Sequence, residues 1–434
     1  MTNTGYTHPQ WKGRMGFVLA AAGSAVGLGN IWKFPYIMGE NGGAAFVLIY
    51  LACLVFIAAP ILLSEILLGK RAHANPIIGM QQLANRSGVS TWWQAIGWMG
   101  VFTGFLILSF YAVVMGWSLA YIKQAASGAF VNIQADEVGE LFTRLQENPG
   151  LILFWHTLAM VLTTWVVARG VNRGIERATS LMVPLLVAML LILTVYNFTT
   201  PGFNQALDFM FTPDFSQVTG QTVLVALGHA FFTLSLGMGA IMAYGSYLPE
   251  KTSLAQVAGW ILLLDTGIAL LAGLVIFPIV YSHGLNPGEG AGLVFITLPL
   301  AVGALDWAYF LSVLLFVMIS IAAWTSAISL LEPATAYIQQ RFGIARARGA
   351  IMIGVTIWAL GVLSALSFNL LSDVSLFGQS IFNFKDFLSS NIMLPLGGML
   401  ISLFAVWKLS RSESEGDLGP VSYTHLTLPT IYSV

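Results

Sequence analysis

Apolar positions along this chain gather into ten blocks of roughly 18 to 30 residues, set apart by short polar stretches. The blocks are continuously apolar and lack the strict alternation of membrane-barrel strands. Each therefore predicts a helix long enough to cross a bilayer. The predicted spans run roughly over 15–37, 44–69, 92–122, 151–168, 178–196, 222–246, 257–282, 307–339, 350–367 and 384–407. Polar residues 1–14 lead straight into the first block, so that block is expected to stay in place as a span and not to be removed as a signal. The pattern reads as an all-α membrane protein.

Lysine and arginine orient it. With the N-terminus inside, the cytoplasmic segments hold Lys12, Arg14, Lys70, Arg71, Arg86, Arg169, Arg173, Arg177, Lys251, Arg341, Arg346, Arg348, Lys408 and Arg411, leaving only Lys33, Lys123, Arg144 and Lys385 of the 18 for the outer side and its approaches. A missed or extra span would scramble this asymmetry, so it supports both the span count and a cytoplasmic N-terminus. Composition agrees with immersion in lipid. Of 434 residues 57% are hydrophobic and 9% charged, against about 25% charged in soluble domains. The net charge of −1 gives no excess of cations, and nucleic acid is not an expected partner. The one cysteine, Cys53, excludes an internal disulfide and reads as a small packed hydrophobe.

Between spans three and four the loop is acidic (Asp136, Glu137, Glu140, Glu147), as a solvated loop would be. Residues 285–303 are glycine-rich and then apolar, too short to span twice, and predict a hairpin dipping into the outer vestibule. From about residue 418 the sequence PVSYTHLTLPTIYSV continues no span and is expected to be a truncated or artefactual C-terminal tail.

Two spans carry glycines in mid-membrane: GSAVGLGN at 23–30 in the first and SLGMGA at 235–240 in the sixth. A helix interior disfavours glycine, and the two stretches lie five spans apart. Ten spans in two halves, each opened by a glycine-broken helix, is the pattern of an inverted-repeat transporter. The halves would be 15–196 and 222–407, between a cytoplasmic segment 1–14 and a tail 408–434. An unwound turn frees carbonyls that can replace the water shell of a hard cation, and amides that can hold a carboxylate. Two such breaks facing each other make a site for a zwitterion plus a cation. Asn30, Thr233, Ser235, Asp265, Thr325 and Ser326 place side-chain oxygens in these apolar helices, although serine or threonine in a helix commonly back-bonds to its own carbonyls. A charge at bilayer depth costs about 2.5–3.5 kcal/mol on insertion scales, so Lys33, Glu65, Asp265, Glu332 and Asp386 each need an account, with His229 and Asn30 as neutral partners.

Residues 11–46 (WKGRMGFVLAAAGSAVGLGNIWKFPYIMGENGGAAF), 231–248 (FFTLSLGMGAIMAYGSYL) and 322–333 (AAWTSAISLLEP) together resemble the neurotransmitter:sodium symporter family, in its bacterial hydrophobic or aromatic amino-acid transporter form. That family is itself a type case of the paired broken-helix rule. The resemblance runs to about residue 408. It implies a LeuT-like five-plus-five inverted repeat with discontinuous helices one and six, in the bacterial inner membrane. It also implies sodium-coupled import of large neutral L-amino acids by alternating access, and no enzyme activity. Two sodium sites are implied: Ala25, Asn30, Thr233 and Asp265 with the substrate carboxylate at one, and Gly23, Val26, Ala322, Thr325 and Ser326 at the other. The substrate carboxylate would meet the Leu28 and Gly29 amides and the Tyr111 hydroxyl. Its ammonium would face carbonyls of Ala25, Phe232 and Thr233, with Ser235 helping at the unwound turn. Ser24, Ile107, Tyr111, Phe232, Met238, Ser326 and Leu330 would form the side-chain pocket.

Tyr111 and Phe232 would close above the substrate. Lys33 and Asp386 fall at the family's outer ion-pair gate, where an arginine is usual; lysine pairs as a point charge and cannot fork. The family's cytoplasmic arginine–aspartate pair falls here on His8 and Gln340, which leaves Trp11 as the candidate plug. Gly174 and Pro184 match a motif for local unwinding of span five. Tyr50, Thr233 and His229 belong to the neighbourhood where many animal members hold chloride. Asp265 stands where asparagine is common, and Ala269 where some bacterial relatives carry glutamate. A fixed carboxylate at 265 implies no chloride requirement. Two other readings stay open: a different small neutral substrate, or an amino-acid sensor of the same fold. A channel would need a continuous polar face, whereas the polar residues here cluster at one depth.

Overall fold

The computed structural model describes residues 9–284 and 292–409. His8, the first part of the expected outer hairpin and the C-terminal tail lie outside the described residues. Among the described residues, eight helices are individually long and apolar enough to cross a membrane: Ala44–Ala72, Thr91–Ala126, Pro149–Ala168, Val171–Asn197, Leu254–Ser282, Ala308–Phe342, Arg346–Leu366 and Ile381–Lys408. Span one is a ninth, made of Arg14–Ala25 and Gly29–Glu40 with a bend of 47°. Span six is interrupted, as Gly220–Thr233 and Ala240–Gly245, so neither half is long enough alone. Nine of the ten predicted spans are therefore present as long apolar helices or a bent pair, and the sixth as two shorter helices either side of its break. Side chains facing outward are apolar, among them Phe56 (77% exposed), Leu181 and Leu224, as a lipid-facing surface requires.

The two breaks have different causes. In span six the chain alternates through the left-handed region, with Ser235, Gly237 and Gly239 at φ 55°, 79° and 73°. Glycine adopts this at no steric cost, but serine does not. Ser235 is held there by its hydroxyl, which donates to the Ser24 carbonyl at 2.9 Å. In span one the helix ends at Val26 (ψ 88°), and Gly27 and Gly29 serve close approach instead. A Cβ on Gly27 would stand 3.0 Å from the Tyr111 hydroxyl and against Ser326 Oγ; one on Gly29 would stand 3.2 Å from the Phe232 ring. The breaks thus pack against each other and against spans three and eight.

On the expected outer side, Leu293–Gly303 is a short buried helix. Its Phe295 carbonyl accepts from Tyr121 Oη (2.8 Å), and its Gly303 carbonyl from the Asn132 amide (2.8 Å). The acidic loop forms the helix Ala135–Glu147. A two-residue antiparallel ladder, Ser375–Leu376 with Gln379–Ser380, joins spans nine and ten. Span five is helical through Pro184, with only its first turn, Val171–Glu176, widened.

Candidate functional site

Where the breaks meet, a small cavity of about 20 Å³ is lined by Ser24, Ala25, Gly27, Gly29, Ile107, Tyr111, Phe232, Ser235, Met238, Ser326, Ser329 and Leu330. Ten of the sequence-predicted substrate residues line it. Leu28 instead faces a second cavity of about 60 Å³ above, together with Lys33, Tyr36 and Asp386. Thr233 is buried beside the cavity. Gly29, Tyr111 and Phe232 line both cavities, so they form the partition between them. The Leu28 amide donates to Tyr111 Oη at 3.3 Å, which ties this partition to the break in span one.

Two oxygen clusters flank the cavity. The first centres on Asp265 of span seven, which is fully buried. Its Oδ1 accepts from Asn30 Nδ2 (2.8 Å) and Thr233 Oγ1 (2.9 Å), and its Oδ2 from Tyr50 Oη (3.2 Å). Asn30 Nδ2 also donates to the Asp265 carbonyl at 3.1 Å, and Asn30 Oδ1 accepts from the Gly27 amide at 3.3 Å. A buried carboxylate is thereby joined to both broken spans.

The second cluster lies between spans one and eight. Thr325 Oγ1 is 2.9 Å from the Ala322 carbonyl and 3.5 Å from that of Val26; Ser326 Oγ is 3.5 Å from the Gly23 carbonyl and 3.1 Å from that of Ser24. Each hydroxyl donates to one of these carbonyls, at 2.9 and 3.1 Å, and lies at the limit of a hydrogen bond to the other; oxygens of this type are what a hard cation takes. The donors are carbonyls and hydroxyls. Among the described residues no group of three His, Cys, Asp or Glu side chains forms, so nothing there is built for a transition metal.

The other polar and charged residues singled out from the sequence have separate partners. Glu65 Oε1 accepts from the Gly237 amide at 2.5 Å, so this carboxylate anchors the unwound turn of span six. Glu332 is paired with Arg346 and accepts from Tyr247 Oη at 2.7 Å. Asp386 Oδ1 accepts from Ser390 Oγ at 2.9 Å. Lys33 places its ammonium 4.4 Å above the Phe232 ring, and among the described residues it forms no salt bridge to Asp386. His229 is wedged between Phe34 and Tyr50, with ring centroids 5.6 and 5.5 Å away.

At the expected inner end, where the sequence offered a missing gate pair and Trp11 as the candidate plug, several groups are bonded together. Gln340 Oε1 accepts from the amide and the side chain of Asn75 (2.8 and 2.6 Å). Trp11 is buried among Phe17, Tyr244 and Tyr247, and its Nε1 donates to the Tyr244 carbonyl at 2.9 Å. Its amide donates to the Tyr247 carbonyl at 3.0 Å, and Tyr247 connects onward to Glu332 and Arg346. Truncating a buried aromatic to alanine costs about 3–5 kcal/mol. Trp11→Ala should therefore loosen this end, and tryptic cleavage at Lys12 and Arg14 should quicken at least tenfold by a conservative reading of that cost. An unchanged cleavage rate would show that Trp11 is not what holds the segment.

Sequence reading missed Gly27 and Ser329 in the cavity wall, and Arg346 and Tyr247 in the inner closure. Ser329 was findable. It lies three residues beyond Ser326, on the same helix face, and accepts from Ser24 Oγ at 2.7 Å. Arg346 carried no local signal beyond its cytoplasmic position.

Known proteins bear on this arrangement directly. The profile of the Sodium:neurotransmitter symporter family matches residues 8–134 and 135–408. A sodium-dependent transporter of Bacillus subtilis, YhdH, is 41% identical over 409 residues, covering 93% of this chain and 89% of the relative. One of Haemophilus influenzae is 33% identical, covering 98% and 94%. The solved structure of MhsT in complex with L-phenylalanine superposes with a TM-score of 0.88 at 42% identity, over 96% of each chain. The chain belongs to the sodium:neurotransmitter symporter family. It is a sodium-dependent membrane transporter of the LeuT-like fold, and its relatives are transporters and not enzymes.

Proposed function

We propose that this protein imports large neutral, hydrophobic or aromatic L-amino acids together with sodium. The observation that carries the reading is the cavity between the two broken spans, flanked on one side by the Asp265 cluster and on the other by the Thr325–Ser326 cluster. Asp265, Asn30, Thr233 and the Ala25 carbonyl hold one sodium beside the substrate carboxylate. The carbonyls of Gly23, Val26 and Ala322 hold the other with Thr325 and Ser326. Sodium bound directly to the carboxylate couples the two, because each supplies the other's missing charge. Asp265 supplies the counter-charge that chloride would otherwise bring. The N-terminus is cytoplasmic. Residues 15–196 and 222–407 form the inverted repeats, which rock between an outer lid of Tyr111 and Phe232 and an inner closure around Trp11. Phenylalanine in the MhsT complex supports the substrate class.

Met238 lines the cavity wall. Its unbranched thioether chain reshapes around ligands of different volume. In competition against labelled uptake, leucine, phenylalanine, tyrosine and tryptophan should each inhibit, and glycine poorly. Strong inhibition by glycine with none by phenylalanine would favour a small-substrate transporter instead.

A further inference from the structure

Spans four and nine leave between them a groove of about 410 Å³ on the lipid-facing surface. Val161 (57% exposed) and Val355 (56%) stand on its two walls. At its deep end Trp358 Nε1 donates to Thr157 Oγ1 (2.9 Å), and that hydroxyl donates to the Leu153 carbonyl (2.7 Å), so neither is left to recognise a polar ligand. From Thr157 to Ala168, both on its wall, the helix rises about 16 Å. One leaflet of a bilayer core is about 15 Å deep. At the mouth, the Arg169 guanidinium lies 3.8 Å above the ring of Trp165, itself a groove residue. Among the described residues this guanidinium has no ion pair or side-chain hydrogen bond.

We infer that this groove binds an anionic phospholipid of the cytoplasmic leaflet, with one acyl chain along the groove and the phosphate on Arg169. An apolar trough of leaflet depth with an unpaired cation at its cytoplasmic rim has the amphipathic profile of such a lipid. Zwitterionic phosphatidylcholine fills the groove equally well but brings its own cation to the rim. A soluble phosphate meets the arginine but has no chain to anchor it. The site also touches the inner closure. Arg346 Nε donates to the carbonyl of Val167 (2.9 Å), next to the groove mouth, and Arg346 pairs with Glu332. A lipid holding the end of span four against span nine therefore favours the inward-closed arrangement. The inference rests on the cytoplasmic orientation proposed above, but its test reads lipid and not transport, so either can fail without the other.

The purified full chain is titrated with phosphatidylglycerol, phosphatidylcholine or glycerol 1-phosphate, and retained ligand is read by native mass spectrometry. One phosphatidylglycerol should be retained about fivefold better than phosphatidylcholine, as one interfacial cation provides, and glycerol phosphate should not be retained. Arg169→Gln should bring phosphatidylglycerol to the phosphatidylcholine level. Val355→Trp should displace both lipids; Val161→Trp on the opposite wall repeats that arm should the first variant fold poorly. Equal retention of the two lipids by the unsubstituted protein, retention of glycerol phosphate, or full retention by Arg169→Gln overturns the proposal. So does a dimer that Val355→Trp abolishes with no lipid retained, which would assign the face to a second copy of the chain.

Discussion

In proteoliposomes, uptake by the unsubstituted protein should be unaffected when chloride is exchanged for gluconate, whereas Asp265→Asn should lose it at low chloride. Bringing two cations to mid-membrane requires anionic compensation. The substrate's carboxylate balances only its own ammonium. Asp265 is fully buried and bonded to Asn30, Thr233 and Tyr50, so its charge is fixed where the two broken spans meet. Opposite unit charges about 4 Å apart contribute about 4 kcal/mol at an effective dielectric of about 20. Removing that charge should therefore weaken sodium binding on the order of a hundredfold to a thousandfold. Asparagine keeps the size and can still accept from Asn30 or Thr233, so the fold should survive. Partial recovery at high chloride is expected, with the anion entering where the carboxylate charge is gone. Unsubstituted protein whose uptake falls away without chloride would contradict the assignment.

The double substitution Thr325→Ala with Ser326→Ala should abolish sodium-driven uptake or shift its sodium dependence at least tenfold upward. Both hydroxyls sit within 3.5 Å of span-one carbonyls, and they are the two side-chain oxygens proposed to hold the second sodium. The stability cost should be small by comparison. A neutral hydrogen bond contributes about 1 kcal/mol net, and each hydroxyl bonds to a carbonyl of a helix that stays formed. A double variant that elutes as a folded protein and transports normally at low sodium would remove the second sodium site from the account.

How much of this was readable beforehand depended on the range of the interaction. Span positions follow from runs of apolar residues, a local signal, and nine correspond to long apolar helices or a bent pair, the sixth to two short helices around its break. The breaks were legible because glycine and serine cluster there, yet their mechanics were not. Gly237 and Gly239 serve backbone conformation, whereas Gly27 and Gly29 serve packing against side chains more than eighty residues away. Asp265 was identified because a charge in an apolar helix demands a partner, and its partners came from both broken spans and from Tyr50 of span two. Of the inner closure, Trp11 was legible as a plug and Glu332 as a charge needing a partner, but their connection was not. Trp11, Tyr247, Glu332 and Arg346 come from four separate elements, and only the folded chain brings them together. Lys33 shows the same limit. Its position suggested an ion pair with Asp386, but the ammonium lies over Phe232 instead.

The central claim is coupling of amino-acid movement to sodium, and uptake of labelled phenylalanine or leucine into reconstituted vesicles tests it most directly. With sodium outside and potassium inside, label should accumulate above equilibrium; replacing outer sodium with potassium or choline should reduce it to the level of empty vesicles. Equal uptake with and without the sodium gradient, or sodium-dependent binding with no accumulation, would contradict the account, the latter in favour of a sensor.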